Sequence, residues 1–246
     1  MRTLVIGDIH GCSAALDHVL RLVRLQKSDT LITLGDYVDR GPDTKGVIER
    51  LLKIKAHCRL IPLKGNHEVM MNGSRTDTEY EPTWRSHGGE QTLKSYAPGK
   101  EKPSLVDVPD EHWEFLEHQC LDYFETETHL FVHANLLPDV PMNAQPDTAL
   151  FWDFLSANQR PHCSGKTMIC GHTVQNTGRP LNLGHTICLD TWAYGGGFLS
   201  CLDIASGVVC QASQSGMKRE FILRAPQAGP GSSAAQPPES RRPRVG

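Results

Sequence analysis

Five short polar clusters in this sequence carry side chains able to do chemistry. They are Gly7-Asp8-Ile9-His10-Gly11, Gly35-Asp36-Tyr37-Val38-Asp39-Arg40-Gly41, Gly65-Asn66-His67-Glu68, Val132-His133-Ala134 and Gly171-His172-Thr173. They offer aspartate, histidine and asparagine and no thiolate. Such hard oxygen and borderline nitrogen donors suit manganese, iron or zinc better than a soft metal. Asp8, His10, Asp36, Asn66, His133 and His172 are too many ligands for one tetrahedral zinc. They are enough for two ions that share a carboxylate, about 3.5–4 Å apart. A water bridging two such cations loses a proton far more easily than bulk water. Any one cluster alone reads as a turn, a helix cap or an ordinary histidine. The weight lies in five of them together, each following a strand-like run.

Those runs supply the positioning. Thr3–Gly7, Thr30–Leu34 and Arg59–Leu63 are short and apolar, as buried strands are. Between them, Ala14–Arg24 carries Leu16, Val19, Leu20 and Val23 at helical spacing, with Ser13 as the expected N-cap. After Pro42, placed in a first helical turn, Val47, Ile48, Leu51, Leu52 and Ile54 share one face. This β-α-β-α-β order predicts a largely parallel, layered sheet. Asp8, Asp36 and Asn66 recur at nearly even intervals of about one β-α-β unit, which brings them to the carboxyl edge where ligands bind. Glycines beside the ligands are expected to let the chain turn sharply. The stretch from Asn72 to His118 is less regular, with Gly88-Gly89 and Pro98-Gly99 marking loops and a helix expected near Asp110–His118. Strands follow at Leu130–His133, Thr167–Cys170 and Thr186–Leu189. Phe198–Ile204, Gly207–Gln211 and Arg219–Leu223 then read as an antiparallel meander with a turn at Ser206-Gly207.

The ordered motifs GDxHG, GDxxDRG and GNHE, a histidine after a strand and a later GHT, from Gly7 to Thr173, resemble those of bacterial PPP-type serine/threonine protein phosphatases of the calcineurin-like metallophosphoesterase superfamily. The resemblance implies an α/β fold: a layered β-sandwich flanked by helices, with the β-α-β-α-β half first and antiparallel strands last. It implies two metal ions, manganese being expected and iron or zinc possible. One metal would be held by Asp8, His10 and Asp36, and the other by Asp36, Asn66, His133 and His172. His67 would donate a proton to the leaving group, oriented by Asp39. Arg40, with Asn66, would hold the substrate phosphate. Chemically this set is coherent. A poor alkoxide leaving group needs a proton, an imidazolium can give one, and a guanidinium presents two donors to two phosphate oxygens.

One position departs from the pattern. Bacterial relatives carry Trp-x-Arg before GHT, and here Trp152-Asp153-Phe154 puts Phe154 at the arginine position. Either Phe151–Leu155 packs as core, or the phosphate grip is changed at a cost of about 1.5–3 kcal/mol for one charged clamp. Arg160 and Arg179 are candidate substitutes, and Tyr194 is expected mainly to pack.

Composition bounds the rest. The chain has 246 residues and a net charge of −3, with 39% hydrophobic residues, enough for one sizeable core without a basic field for nucleic acid. The eight cysteines include no Cys-x-x-Cys pair and read as buried reduced thiols. The remaining histidines read as surface or structural. The apolar run after Met1 is too short for a signal peptide, and no membrane span is present, so a cytoplasmic location is expected. Residues 1–224 read as the catalytic domain and 225–246, rich in Pro, Ser and Arg, as a disordered tail. The expected activity is hydrolysis of phosphoserine and phosphothreonine in proteins, the partner being a phosphoprotein or small phosphoester substrate. Two alternatives stand beside it. One is a symmetrical diadenosine tetraphosphate hydrolase, and the other is an inactive metal-binding or docking protein.

Overall fold

Residues 1–224 are described in a computed structural model, so the expected tail lies outside them. The strands are β1 (Thr3–Ile6), β2 (Thr30–Thr33), β3 (Arg59–Pro62), β4 (Tyr123–Glu125), β5 (His129–Val132), β6 (Thr167–Cys170), β7 (Leu181–Asn182), β8 (Thr186–Cys188), β9 (Leu199–Asp203), β10 (Val208–Ala212) and β11 (Lys218–Ile222). The principal helices are α1 (Ser13–Val23), α2 (Thr44–His57), α3 (Asn66–Thr76), α4 (Glu81–Trp84), α5 (Glu90–Tyr96), α6 (Asp110–Glu114) and α7 (Asp147–Phe151). One six-stranded sheet has the order β11-β10-β9-β1-β2-β3, and a five-stranded sheet has the order β4-β5-β6-β8-β7.

The expected parallel unit is present, since β1, β2 and β3 are parallel neighbours. The meander completes the same sheet, with β9 antiparallel to β1. A second parallel set, β5-β6-β8, builds the other sheet. Alternation along each strand sorts the apolar residues into layers. Val5, Ile32 and Ile61 lie in register across the first sheet and pack against Phe131 and Ile169 of the second. Leu4, Ile6 and Leu31 face the other way, onto Leu16 and Val19 of α1 and Val47, Ile48 and Leu51 of α2. Behind the second sheet, Leu130, Val132 and Met168 pack on Leu150 and Phe151 of α7. The layering is therefore helix, sheet, sheet, helix. Because central strands are covered on both faces, they read as unbroken apolar runs in the sequence.

Local details correct several expectations. Cys12, not Ser13, precedes α1 as its N-cap, and the Ser13 hydroxyl donates to Asp43 Oδ2 at 2.5 Å. Pro42 lies outside α2, which Asp43 caps by accepting from the Gly46 N–H at 3.0 Å. Gly88-Gly89 sits in a π-type turn, Arg85–Gly89, joining α4 to α5, and Gly88 at φ 118° breaks the helical path. The helix near Asp110–His118 is α6 running into a second π-type turn, Phe115–Gln119. The cysteines are unpaired and buried except for Cys163, which is exposed. No helix among the described residues is long and apolar enough to cross a membrane.

Glu68 ties the loops that leave β2 and β3. Fully buried, its carboxylate accepts the N–H groups of Asp36 (2.8 Å), Tyr37 (2.8 Å), Val38 (3.2 Å) and Gly65 (2.8 Å). Burial pushes its pKa up to about 8, against the pull of these donors towards the ionised form. Glu68→Gln replaces an all-acceptor group by one that can serve only its carbonyl side, stranding about two buried donors. Denaturant unfolding should show a loss of about 2–4 kcal/mol, and an unchanged midpoint would mean the carboxylate is not the clamp.

Candidate metal centre and active site

The carboxyl ends of β1, β2, β3, β5 and β6 converge, and the five clusters meet there. Helix α3 begins at Asn66, so the Asn66 and His67 N–H groups belong to a positively polarised helix start. The His67 N–H donates to Asp36 Oδ1 at 3.1 Å. Asp36 also faces His10 Nε2 through Oδ2 at 3.2 Å and His133 Nε2 through Oδ1 at 3.4 Å. Donor atoms of His10, Asp36 and His67 lie within 4.8 Å of one another, as do those of Asp36, His133 and His172, and Asp36 is common to both groups.

The histidine tautomers say which atoms face inward. His10 Nδ1 donates to the Val38 carbonyl at 2.9 Å and His133 Nδ1 to the Leu34 carbonyl at 2.8 Å. His172 Nε2 donates to the Trp152 carbonyl at 3.1 Å. With the outer N–H donated in this way, loss of a proton from the other nitrogen leaves a lone pair turned inward, towards oxygen acceptors. Asn66 Oδ1 lies 2.9 Å from His133 Nε2 and 3.1 Å from His172 Nδ1. Lone pairs facing acceptors at such distances are the arrangement a cation stabilises, with the outer N–H fixed by the backbone. Among the described residues neither Asp8 nor Asp36 pairs with a lysine or arginine. Burial, with Asp190 and Asp36 nearby, pushes the Asp8 carboxyl well above its usual range. Burial also works against the Asp36 charge, but His133, His67 and His10 outweigh it and hold that carboxyl well below the usual range. The donor set thus fits divalent cations of the manganese, iron and zinc type.

Asp8 stands slightly apart. Its two oxygens accept the His172 N–H at 3.2 and 3.0 Å, and it belongs to neither donor group. Gly171 explains the approach, because a Cβ there would overlap the Asp8 carboxylate, and one on Gly65 would overlap that of Asp36. These two glycines provide room rather than the expected sharp turn. Gly35 at φ 98° does provide a turn.

His67 is partnered differently from the other three histidines. Its Nδ1 lies 2.7 Å from Asp39 Oδ2, a carboxylate rather than a carbonyl. Asp39 also accepts Trp84 Nε1–H at 2.9 Å and the Thr92 hydroxyl at 2.8 Å. All three partners are donors, so Nδ1 keeps its proton and Nε2 is the atom that exchanges one at the cleft. Burial drives both members towards neutrality, His67 down to about 2 and Asp39 up to about 7. A bound phosphate would add negative charge beside the ring and favour its protonated form. Trp84 and Thr92 were not singled out by the sequence. Their one signal was a tryptophan and two glycines in an otherwise irregular stretch.

Arg40 reaches the same space. Its Nη1 lies 3.2 Å from His10 Nε2 and donates to the Tyr194 hydroxyl at 3.1 Å. Its N–H donates to the Gly88 carbonyl at 3.2 Å, so the α4–α5 block also props this residue. Tyr194 therefore faces the site, rather than serving only to pack. An open cleft of about 430 Å³ leads in, and its lining includes Asp36, Arg40, Asn66, His67, Trp152, Phe154, His172 and Tyr194. Phe151 packs in the core as expected, but Phe154 does not, being 68% exposed. Arg160 pairs with Asp139, and Arg179 lies over the Phe221 ring at 4.7 Å, so neither supplies the missing clamp.

A family model described as calcineurin-like phosphoesterase matches residues 1–176. The serine/threonine-protein phosphatase 1 of Salmonella typhimurium is 36% identical over 134 residues, covering 53% of this chain and 57% of that protein. A symmetrical bis(5'-nucleosyl)-tetraphosphatase of an Acidovorax species is 32% identical over 145 residues, covering 56% of this chain and 45% of that protein. The chain thus spans about half the length of these curated relatives. The crystal structure of a cold-active protein-tyrosine phosphatase from a Shewanella species shares the fold, with a TM-score of 0.63 at 14% identity, covering 89% of this chain and 80% of that one. The match over residues 1–176 contains all five clusters, and the chain belongs to the calcineurin-like phosphoesterase family.

Proposed function

We propose that this chain is a two-metal phosphoesterase that hydrolyses phosphomonoesters, with phosphoserine and phosphothreonine in proteins as the substrate class the motif set favours. Asp36, the one carboxylate common to two groups of donors, carries this reading. Asp8, His10 and Asp36 would hold one ion, and Asp36, Asn66, His133 and His172 the other. Manganese is the first metal to test. The ions supply Lewis acidity and an acidic water.

The protein's own groups do the rest. Arg40 presents a charged donor to the phosphoryl oxygens, and the Asn66 amide at the start of α3 is the second group proposed to hold them. His67 Nε2 gives its proton to the departing oxygen, while Asp39 stabilises the charged ring and fixes its orientation. Trp84 and Thr92 keep the Asp39 carboxylate aimed at Nδ1. The family resemblance and the 36% identity to a named serine/threonine phosphatase support a phosphoprotein substrate. Symmetrical cleavage of dinucleoside tetraphosphates is a second reading, favoured by the named Acidovorax relative and by the aromatic residues in the cleft.

Initial rates with added manganese on phosphopeptides, p-nitrophenyl phosphate and diadenosine tetraphosphate test this directly. Turnover of the first two supports the leading reading. Release of two nucleoside diphosphates from the third as the preferred reaction supports the second. Asp36→Asn should abolish turnover and lower bound manganese by metal analysis, and substantial residual activity would remove its bridging role. His67→Asn should lower kcat about 10²–10⁴-fold with bound manganese unchanged. Phe154→Arg, at an exposed position, should lower KM for a phosphopeptide about tenfold or more if it restores a phosphate clamp.

A further inference from the structure

Phe154 does more than leave an arginine out. Its ring stacks on the His172 imidazole at 4.7 Å and 23°, yet the residue is 68% exposed, so its outer face is open to the cleft. Trp152 beside it is 39% exposed and lines the same cleft. The segment is held in place. The Trp152 carbonyl accepts from His172, the Phe154 carbonyl accepts Asn135 Nδ2–H at 3.1 Å, and the Leu155 N–H donates to the Thr173 hydroxyl at 2.9 Å. Arg40, its guanidinium 4.8 Å from the Tyr194 ring centre, is the one arginine among the lining residues. One cationic group and two aromatic side chains thus line the same cleft, with Phe154 seated on His172.

We infer that Trp152 and Phe154 form a subsite for a planar aromatic group carried next to the phosphate of the substrate. It rests on the phosphoester reading above and narrows it. Among esters of equal charge, those bearing a ring beside the phosphoryl group are held more tightly than alkyl ones. Stacking against a preformed aromatic face offsets the binding lost with the second clamp, because that face loses little side-chain freedom when a ring arrives. The ring can come from an aryl ester or from a nucleoside. A protein substrate meets the same demand when its phosphoryl group is carried on, or flanked by, an aromatic side chain.

Matched inhibitors test this without leaving-group effects. Against p-nitrophenyl phosphate with manganese, phenylphosphonate should inhibit about tenfold more tightly than methylphosphonate. Adenosine 5′-monophosphate against ribose 5-phosphate gives the same comparison for a nucleobase. Phe154→Leu keeps apolar bulk without the ring and should bring the ratio to within about twofold, whereas Phe154→Tyr should retain it. A ring preference in either pair that Phe154→Leu removes supports the subsite. Equal binding in both pairs, or a preference that Phe154→Leu leaves unchanged, overturns it. Calorimetric titration of the two phosphonates into the manganese-loaded protein reads the ratio without turnover. A preserved ratio with no hydrolysis would overturn the hydrolase reading and leave the subsite standing.

Discussion

The Glu68 carboxylate is the interaction on which the site depends. Four backbone N–H groups, three from the loop after β2 and one from the loop after β3, converge on its two oxygens. A buried loop can keep an unusual path only if its polar groups are satisfied, and here one side chain satisfies several at once. That path places Asp36 in both donor groups, Asp39 against His67 and Arg40 against Tyr194. Tyr37 adds a second tie, its hydroxyl donating to the Leu63 carbonyl at 2.5 Å and so joining the same two loops.

The backbone carries strain where the chemistry lies. His10, Arg24, Asp36, Asp39, Arg40, His172 and Trp192 all have positive φ without being glycine, and each such residue costs of order 1–3 kcal/mol. Five of the seven are residues proposed for metal, acid or phosphate roles, Trp192 opens the turn that carries Tyr194, and Arg24 closes the end of α1. The stable part of the molecule is the four-layer core, whose in-register strands bury apolar residues on both faces. That core offsets the cost and holds the convergent strand ends in place. Rigid strands with strained ends give a site little freedom to relax, which suits donors that must already face one point.

His67 and the other three site histidines differ in one feature, the acceptor at the outer nitrogen. A carbonyl leaves the ring neutral with a lone pair turned inward, as a ligand requires. A carboxylate stabilises the charged ring, as a proton donor requires. The fold makes this distinction with Val38, Leu34 and Trp152 on one side and Asp39 on the other. His67 has a donor atom as close to His10 and Asp36 as a ligand would, so proximity alone does not separate the roles.

Much of this was legible in the sequence because strand ends and motif spacing are local. Apolar runs of strand length, followed by Asp8, Asp36, Asn66, His133 and His172, specified which side chains would gather at one sheet edge. The parallel β1-β2-β3 unit and the final meander followed from the same alternation of apolar runs and turns. The buttress of Asp39 did not, since Trp84 and Thr92 reach it from a stretch 45 and 53 residues on, and no local pattern encodes that contact. The four-donor role of Glu68 was hidden for the same reason, and so was the surface fate of Phe154 inside an apolar run. The donor chemistry and the order in which the strands present it are written in the local sequence. Which atoms face inward, which glycines make room for a carboxylate, and that Phe154 stands exposed at the cleft instead of in the core are set by the tertiary fold. Those depend on distances between segments far apart in the chain, which packing sets and local spacing does not.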